Sequence, residues 1–152
     1  MFARSGKVAI AAKLIELGAD VNLARLDKTT PLMAAVDGGH LDMVKLLVES
    51  GADVNAKDQI DLTAVMYAAG QGKLDVMTYL LDRGIDVNQR YKHDTTLLMW
   101  AAGYGQLDAV KALVARGADP TAKDDRGKTA ADIAQGRQLK DVAAYLESVA
   151  AR

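Results

Sequence analysis

The stretch Gly51-Ala52-Asp53-Val54-Asn55 decides the fold, because the chain spells it several times. It stands 33 residues earlier as Gly18-Ala19-Asp20-Val21-Asn22 and 33 later as Gly84-Ile85-Asp86-Val87-Asn88. A fourth copy, Gly117-Ala118-Asp119-Pro120-Thr121, keeps the step but loses the Val-Asn ending. Two further markers run in phase. Thr30, Thr63, Thr96 and Thr129 each open a short apolar run, and Gly39, Gly72 and Gly105 follow, with Gln138 in the fourth place. Three markers sharing one step over almost the whole chain define an array of repeated supersecondary units.

The residues just before Gly51 predict a helix. Leu41, Val44, Leu47 and Val48 are spaced i, i+3, i+6, i+7 and give one apolar face. Leu74, Met77, Leu80 and Leu81 repeat that face, as do Leu107, Val110, Leu113 and Val114. Gly51, Gly84 and Gly117 stop this helix, as residues tolerating positive φ do. The Asp and Asn that follow can bond nearby backbone and shape a turn. Further upstream, Thr30-Pro31-Leu32-Met33-Ala34-Ala35 predicts a shorter helix, with a hydroxyl N-cap and proline at its first position. The pairs Ala68-Ala69 and Ala101-Ala102 suit inner helices that approach their neighbours closely. Neither kind of helix can bury its apolar face alone, so the units must stack.

These motifs resemble the ankyrin repeat, a unit of about 33 residues opening with Thr-Pro-Leu-His-x-Ala. The resemblance is carried by residues 30–35, by Gly39-His40-Leu41 and by the Gly-Ala-Asp-Val-Asn strings, and runs from about residue 6 to the C-terminus. It implies an all-α ankyrin-repeat solenoid of stacked helix-turn-helix units, each L-shaped, with two antiparallel helices and a protruding hairpin finger. Adjacent fingers and inner helices would then form a concave groove. On this reading residues 1–152 make one domain, with a partial repeat at 1–24, full repeats at 25–57, 58–90 and 91–123, and a capping repeat at 124–152.

The departures from the family pattern carry expectations of their own. Met33, Met66 and Met99 stand where ankyrin repeats have His, so hydrophobic packing should replace the usual Thr–His side-chain bond. The hairpin glycine survives only as Gly127, against Lys28, Asp61 and Asp94. Asp tolerates a left-handed backbone better than Lys does. The first finger, around residues 25–28, is therefore expected to be the most irregular. Residues 6–17 read as an outer helix whose companion is residues 1–5 at most, as in a trimmed chain or a short half-repeat acting as a cap. At the other end Asp132 replaces the Met, and Lys140, Asp141 and Glu147 dot the last helix, a polar face that reads as a C-terminal cap.

Composition narrows the function classes. The 152 residues carry 19 Lys+Arg against 20 Asp+Glu, no Cys, two His, two Pro and one Phe. Split at residue 76, the halves carry net charges of -2 and +1. That balance argues against nucleic acid as the partner. Without Cys there is no disulfide, thiolate metal site or cysteine nucleophile. No apolar run approaches the roughly 18 residues of a membrane span. The start, Met1-Phe2-Ala3-Arg4-Ser5-Gly6, lacks the core of a signal peptide. The chain thus reads as soluble, and as cytoplasmic or, with an upstream signal peptide removed, periplasmic or secreted. The 27 Ala fit the close packing of stacked inner helices.

Residues capable of chemistry mostly have local explanations. His40 follows Gly39 at an inter-helix turn, which favours a structural hydrogen bond over catalysis. His93 lies on the third finger, and no nearby spacing supplies it with fellow metal ligands. Asp20, Asp53, Asp86 and Asp119 recur at the repeat step, each after a helix-ending Gly, and so read as turn formers. No pair is singled out as the facing carboxylates of a glycosidase. Ser5, Ser50 and Ser148 lack a triad setting, and no glycine-rich phosphate loop carries a Lys. No cofactor or metal is expected.

Positions that vary between copies carry specificity, while those that recur carry the scaffold. Ala34, Tyr67, Trp100 and Ile133 share one varying register. At the end of the inner helix the series is Asp37-Gly38, Gly70-Gln71, Gly103-Tyr104, Gly136-Arg137. Four of the five Tyr, with Trp100 and Ile60, fall between residues 60 and 104. Aromatic side chains anchor protein interfaces by burying much area around a polar handle. Ile60, Leu62, Tyr67, Tyr91, Lys92, His93, Trp100 and Tyr104 are therefore expected to form the middle of a partner-binding groove. Tyr67 and Trp100 sit where the family often has Leu, so packing and contact both remain open for them. Tyr79 and Tyr145, on outer helices, read as packing residues.

The leading reading is a non-enzymatic module that captures another protein or peptide in its groove, monomeric when free. Small bacterial ankyrin proteins resembling it can act as immunity or inhibitor proteins, which is the more specific implication. A structural fragment of a longer ankyrin-repeat protein is one alternative. An enzyme or small-molecule binder is the alternative from another class, disfavoured by the catalytic inventory.

Overall fold

The computed structural model describes residues 3–151. Among these the secondary structure is nine α-helices and a single 3-10 turn, with no strand. In chain order the helices are α1 (Val8–Glu16), α2 (Pro31–Gly38), α3 (Leu41–Glu49), α4 (Ala64–Gly70), α5 (Leu74–Leu81), α6 (Leu97–Gly103), α7 (Leu107–Ala115), α8 (Ala130–Gly136) and α9 (Lys140–Ala150). The chain divides into two compact units, Met1–Ala68 and Ala69–Arg152, with the division inside α4. The expected companion of the first outer helix falls partly on residues 1–2, outside the described residues. Ala3 is buried, and α1 begins at Val8.

In the first unit the outer helix α1 packs on α3, and α3 packs on its own inner helix α2. The second unit repeats the scheme in two layers. Inner helices α6 and α8 pack on each other and on their own outer helices α7 and α9, while α5, α7 and α9 pack in sequence.

The inner helices start on their threonines. The Thr30 hydroxyl accepts from Met33 N–H, and Thr96 does the same from Met99 N–H, both at 3.2 Å. Met33 and Met99 complete the caps in reverse, their sulfurs accepting from the threonine N–H at 3.5 Å. The thioether therefore packs, as expected, and also acts as a weak acceptor. In α8 a carboxylate performs this task better: Asp132 accepts both the N–H and the hydroxyl of Thr129 at 2.9 Å. Those bonds hold the Asp132 carboxyl below its ordinary pKa. Asp132 thus closes a capping box besides lending polarity to the last repeat.

The apolar face of the outer helices sits slightly off the expected one. Met43, Val44 and Leu47 are buried on α3, whereas Leu41 and Val48 are half-buried. Likewise Val76, Met77 and Leu80 are buried on α5, while Leu74 is exposed at its start. On α3, packed between α1 and α2, the buried stripe therefore centres on the second and third positions of the pattern, and on α5 it also takes in Leu81.

Alanine explains how close the layers come. Ala35, Ala68, Ala101 and Ala134 share one register, and all four are fully buried. One added branch in so tight a site costs about 1–3 kcal/mol. The helix-ending glycines Gly18, Gly51, Gly84 and Gly117 have φ between 88° and 94°, where a Cβ would be strained.

Candidate functional site

Each finger is a short loop between outer and inner helices, and its shape depends on one residue. In the second finger that residue is Asp58, whose Oδ1 accepts from Ile60 N–H and Leu62 N–H at 2.9 Å. The fourth finger copies this: Asp124 Oδ1 accepts from Arg126 N–H and Lys128 N–H at the same distance. The Lys128 bond, then Arg126, lowers the Asp124 pKa from its ordinary value. At the same register the first finger has Arg25, and Asp27 supplies a single substitute bond to Thr29 N–H.

The third finger has Tyr91 there, buried and without a carboxylate to offer. Its backbone compensates with a 3-10 turn over Lys92–Asp94 and two consecutive left-handed residues, His93 (φ 60°) and Asp94 (φ 54°). The most irregular finger is therefore the third, not the first. Lys28 does adopt φ 59°, yet the first finger keeps the ordinary turn, with Lys28 N–H to Arg25 O at 2.9 Å and Arg25 N–H to Thr29 O at 3.0 Å. A carboxylate bonded to the finger's backbone, at its base as in Asp58 and Asp124 or beside it as in Asp27, goes with the ordinary turn whatever the left-handed residue.

The expected contact residues separate by unit. In the first unit, Ile60 stands 60% exposed on its finger, whereas Leu62 is half-buried. Tyr67 is half-buried, and its hydroxyl donates to Asp58 Oδ2 at 2.6 Å. Burial first, then Asp58, pushes its pKa up to about 12. Tyr67 also lines a recess of about 200 Å3 with Arg4, Arg25, Met33 and Asp37. An Arg4–Asp37 ion pair at 3.0 Å lies at that recess.

In the second unit, Lys92 and His93 are exposed on the finger, and His93 Nδ1 lies 2.9 Å from Asp125 Oδ2 on the next one. Tyr91 is only 8% exposed and offers little surface. Trp100 is half-buried, and Tyr104, 52% exposed, leans on it with ring centroids 5.3 Å apart. Arg137 also lies against Tyr104, its guanidinium 5.5 Å from the ring centroid and its Nη1 donating to Gly103 O at 2.8 Å.

Two glycines make room for this shelf. A Cβ on Gly70 would come within 2.7 Å of Trp100 Nε1, and one on Gly103 within 3.3 Å of the Ile133 methyl. Arg137 shares Tyr104's register one repeat on, and Arg126 shares that of Ile60 and His93. Both arginines stood in varying positions without being singled out from the sequence, and the register was the signal that could have found them.

The remaining polar groups serve the scaffold. His40 Nε2 donates to the Arg4 carbonyl at 3.0 Å, the structural bond expected of it. Asp20, Asp53, Asp86 and Asp119 each accept the backbone N–H two residues on, as turn formers should. The asparagines do more than shape turns. Asn22 donates to Gly51 O at 3.1 Å and accepts from Asp53 N–H at 2.8 Å, fastening one repeat to the next. Asn88 does the same to Gly117 O and Asp119 N–H, both at 2.9 Å. Tyr79 stacks under Arg83 at 4.7 Å and Tyr145 under Lys111 at 5.9 Å, both on outer helices. Among the described residues no group of three or more His, Asp or Glu could hold a metal ion, and no helix is long and apolar enough to cross a membrane.

A family model described as ankyrin repeats (three copies) matches residues 1–91 and 57–124. Among curated proteins nothing matches the chain.

Proposed function

Since this chain belongs to the ankyrin-repeat family, whose members are generally protein–protein interaction modules and typically not enzymes, we propose that it captures a partner protein through the finger and inner-helix face of its second unit. The carrying observation is Tyr104, a large aromatic half-open to solvent yet braced by contacts with both Trp100 and Arg137. A braced ring loses little conformational entropy on binding, which is what favours an interface anchor. Lys92 and His93 supply the polar rim, and Trp100 acts chiefly as the platform beneath Tyr104. In the first unit Ile60 offers a contact of its own, while Tyr67 is committed to Asp58.

Capture on this face would act by occlusion, the mode of an inhibitor or immunity protein. The test is affinity capture from the source cell with wild type, Tyr104→Ala, His93→Ala and the outer-helix control Asp108→Ala. The expected result is a partner retained by wild type and by Asp108→Ala and lost with Tyr104→Ala. Retention by both Tyr104→Ala and His93→Ala, with the fold intact by circular dichroism, would sink the assignment. Addition of the purified chain to the captured partner should then suppress the partner's own activity at equimolar ratio.

A further inference from the structure

The shelf around Tyr104 borders a recess of about 140 Å3 whose lining includes Trp100, Gly103, Tyr104, Ile133, Arg126 and Arg137. Its floor is apolar, and both charged side chains in its wall are arginines. Arg126 spends two of its five donors on Asp124, with Nη2 at 2.7 Å and Nε at 3.1 Å, and its side chain is otherwise open to solvent. Arg137 spends one donor on Gly103 O while stacking on Tyr104. Both forks therefore keep donors to spare, fixed in direction by the bonds they already make. Planar guanidinium groups in that state suit carboxylates, which they bind through short charge-assisted hydrogen bonds.

We propose that this recess recognises an acidic peptide segment of the partner: a Leu-, Ile- or Phe-like side chain seated against Trp100, Tyr104 and Ile133, with an Asp or Glu one or two residues away held by Arg137 and Arg126. This deepens the function proposed above and rests on it. The apolar floor and the cationic wall each select one half of the motif. Charge separates this site from the recess beside Tyr67 in the first unit: the carboxylate of Asp37 lines that recess, whereas Asp124, which pairs with Arg126, does not line this one.

Peptide display on the immobilised intact chain tests the inference directly. Random peptides should enrich for Asp or Glu beside a large apolar residue. Synthetic versions should shift the emission of Trp100, the chain's single tryptophan. Replacing their acidic residues with Asn or Gln should weaken binding at least about tenfold. Arg126→Gln should weaken the acidic peptide and leave the neutral one unchanged, while Arg137→Gln, which also removes a brace from Tyr104, should weaken the acidic peptide several-fold more than the neutral one. Arg137→Lys, which keeps the charge and loses the fork, should recover only part of the affinity. Enrichment of neutral or basic peptides, equal binding of both versions, or no enrichment at all would overturn the inference. If apolar peptides enrich and bind through Tyr104 with no dependence on the arginines, the binding face stands and the acidic specificity falls. Peptides indifferent to Tyr104→Ala as well as to both arginine variants would remove the binding face too.

Discussion

Tyr67 and Trp100 occupy the same place one repeat apart, and the two units use them in opposite ways. In the first unit the aromatic ring ends in a hydroxyl that donates to Asp58, the same carboxylate that shapes the second finger. The ring there is tied to the scaffold. In the second unit the third finger's base is Tyr91, so Trp100 meets no carboxylate in its own repeat at that register and instead supports Tyr104 above Gly70. One register can thus close a surface or open it, depending on whether the loop beneath provides an acid.

The largest effect that would break this contrast is on Asp58. Asp58→Ala strands two finger N–H groups and the Tyr67 hydroxyl, and should cost about 3 kcal/mol in chemical denaturation. A loss no larger than that of an ordinary surface change would mean the finger does not depend on the carboxylate. Next comes Tyr104→Ala, expected to cost about 2 kcal/mol of partner affinity, roughly thirtyfold, while stability stays within about 0.5 kcal/mol. An equal loss of stability would place Tyr104 with the scaffold, as Tyr67 is.

Tyr67→Phe should cost about 1–2 kcal/mol of stability and nothing in partner affinity. It also carries a pH signature. The Tyr67 pKa is higher folded, about 12, than unfolded, about 10. Its contribution is therefore complete below pH 10 and is lost as pH rises toward 12. Alkaline unfolding compared between wild type and Tyr67→Phe checks this, since the variant should lack that part of the slope. Smallest of all, Met99→Leu should cost under about 1 kcal/mol, because it keeps the buried volume and gives up only a weak sulfur acceptor. The same change at Met33 should match it, the two caps having the same geometry.

The sequence made the architecture readable because each scaffold role recurs with its residue. The threonine caps, helix-ending glycines and buried alanines all lie where the period puts them. What escaped was decided by partners distant in sequence. Asn22 and Asn88 looked like turn residues, yet their bonds reach 29 and 31 residues onward. Lys28 looked like the weak point of a finger, because left-handed preference is legible locally, whereas the support Asp58 and Asp124 give is visible only once the loops close. Of the expected contact residues, Ile60, Lys92, His93 and Tyr104 lie open, Leu62, Tyr67 and Trp100 are half-buried, and Tyr91 is covered. Type and register select candidates, while burial sorts them.

The asparagine fastening gives the molecule a way to age. Each of Asn22 and Asn88 uses its amide nitrogen to meet a carbonyl and its oxygen to meet an N–H. Hydrolysis of that amide to a carboxylate would turn an oxygen toward the Gly51 or Gly117 carbonyl, converting one attraction at each joint into a repulsion. The residues that follow, Leu23 and Gln89, are bulky, so the backbone attack that drives such hydrolysis is hindered where the joint depends on the amide. Storage at mildly alkaline pH should therefore loosen these two joints only slowly, with each loosened joint marked by one added negative charge.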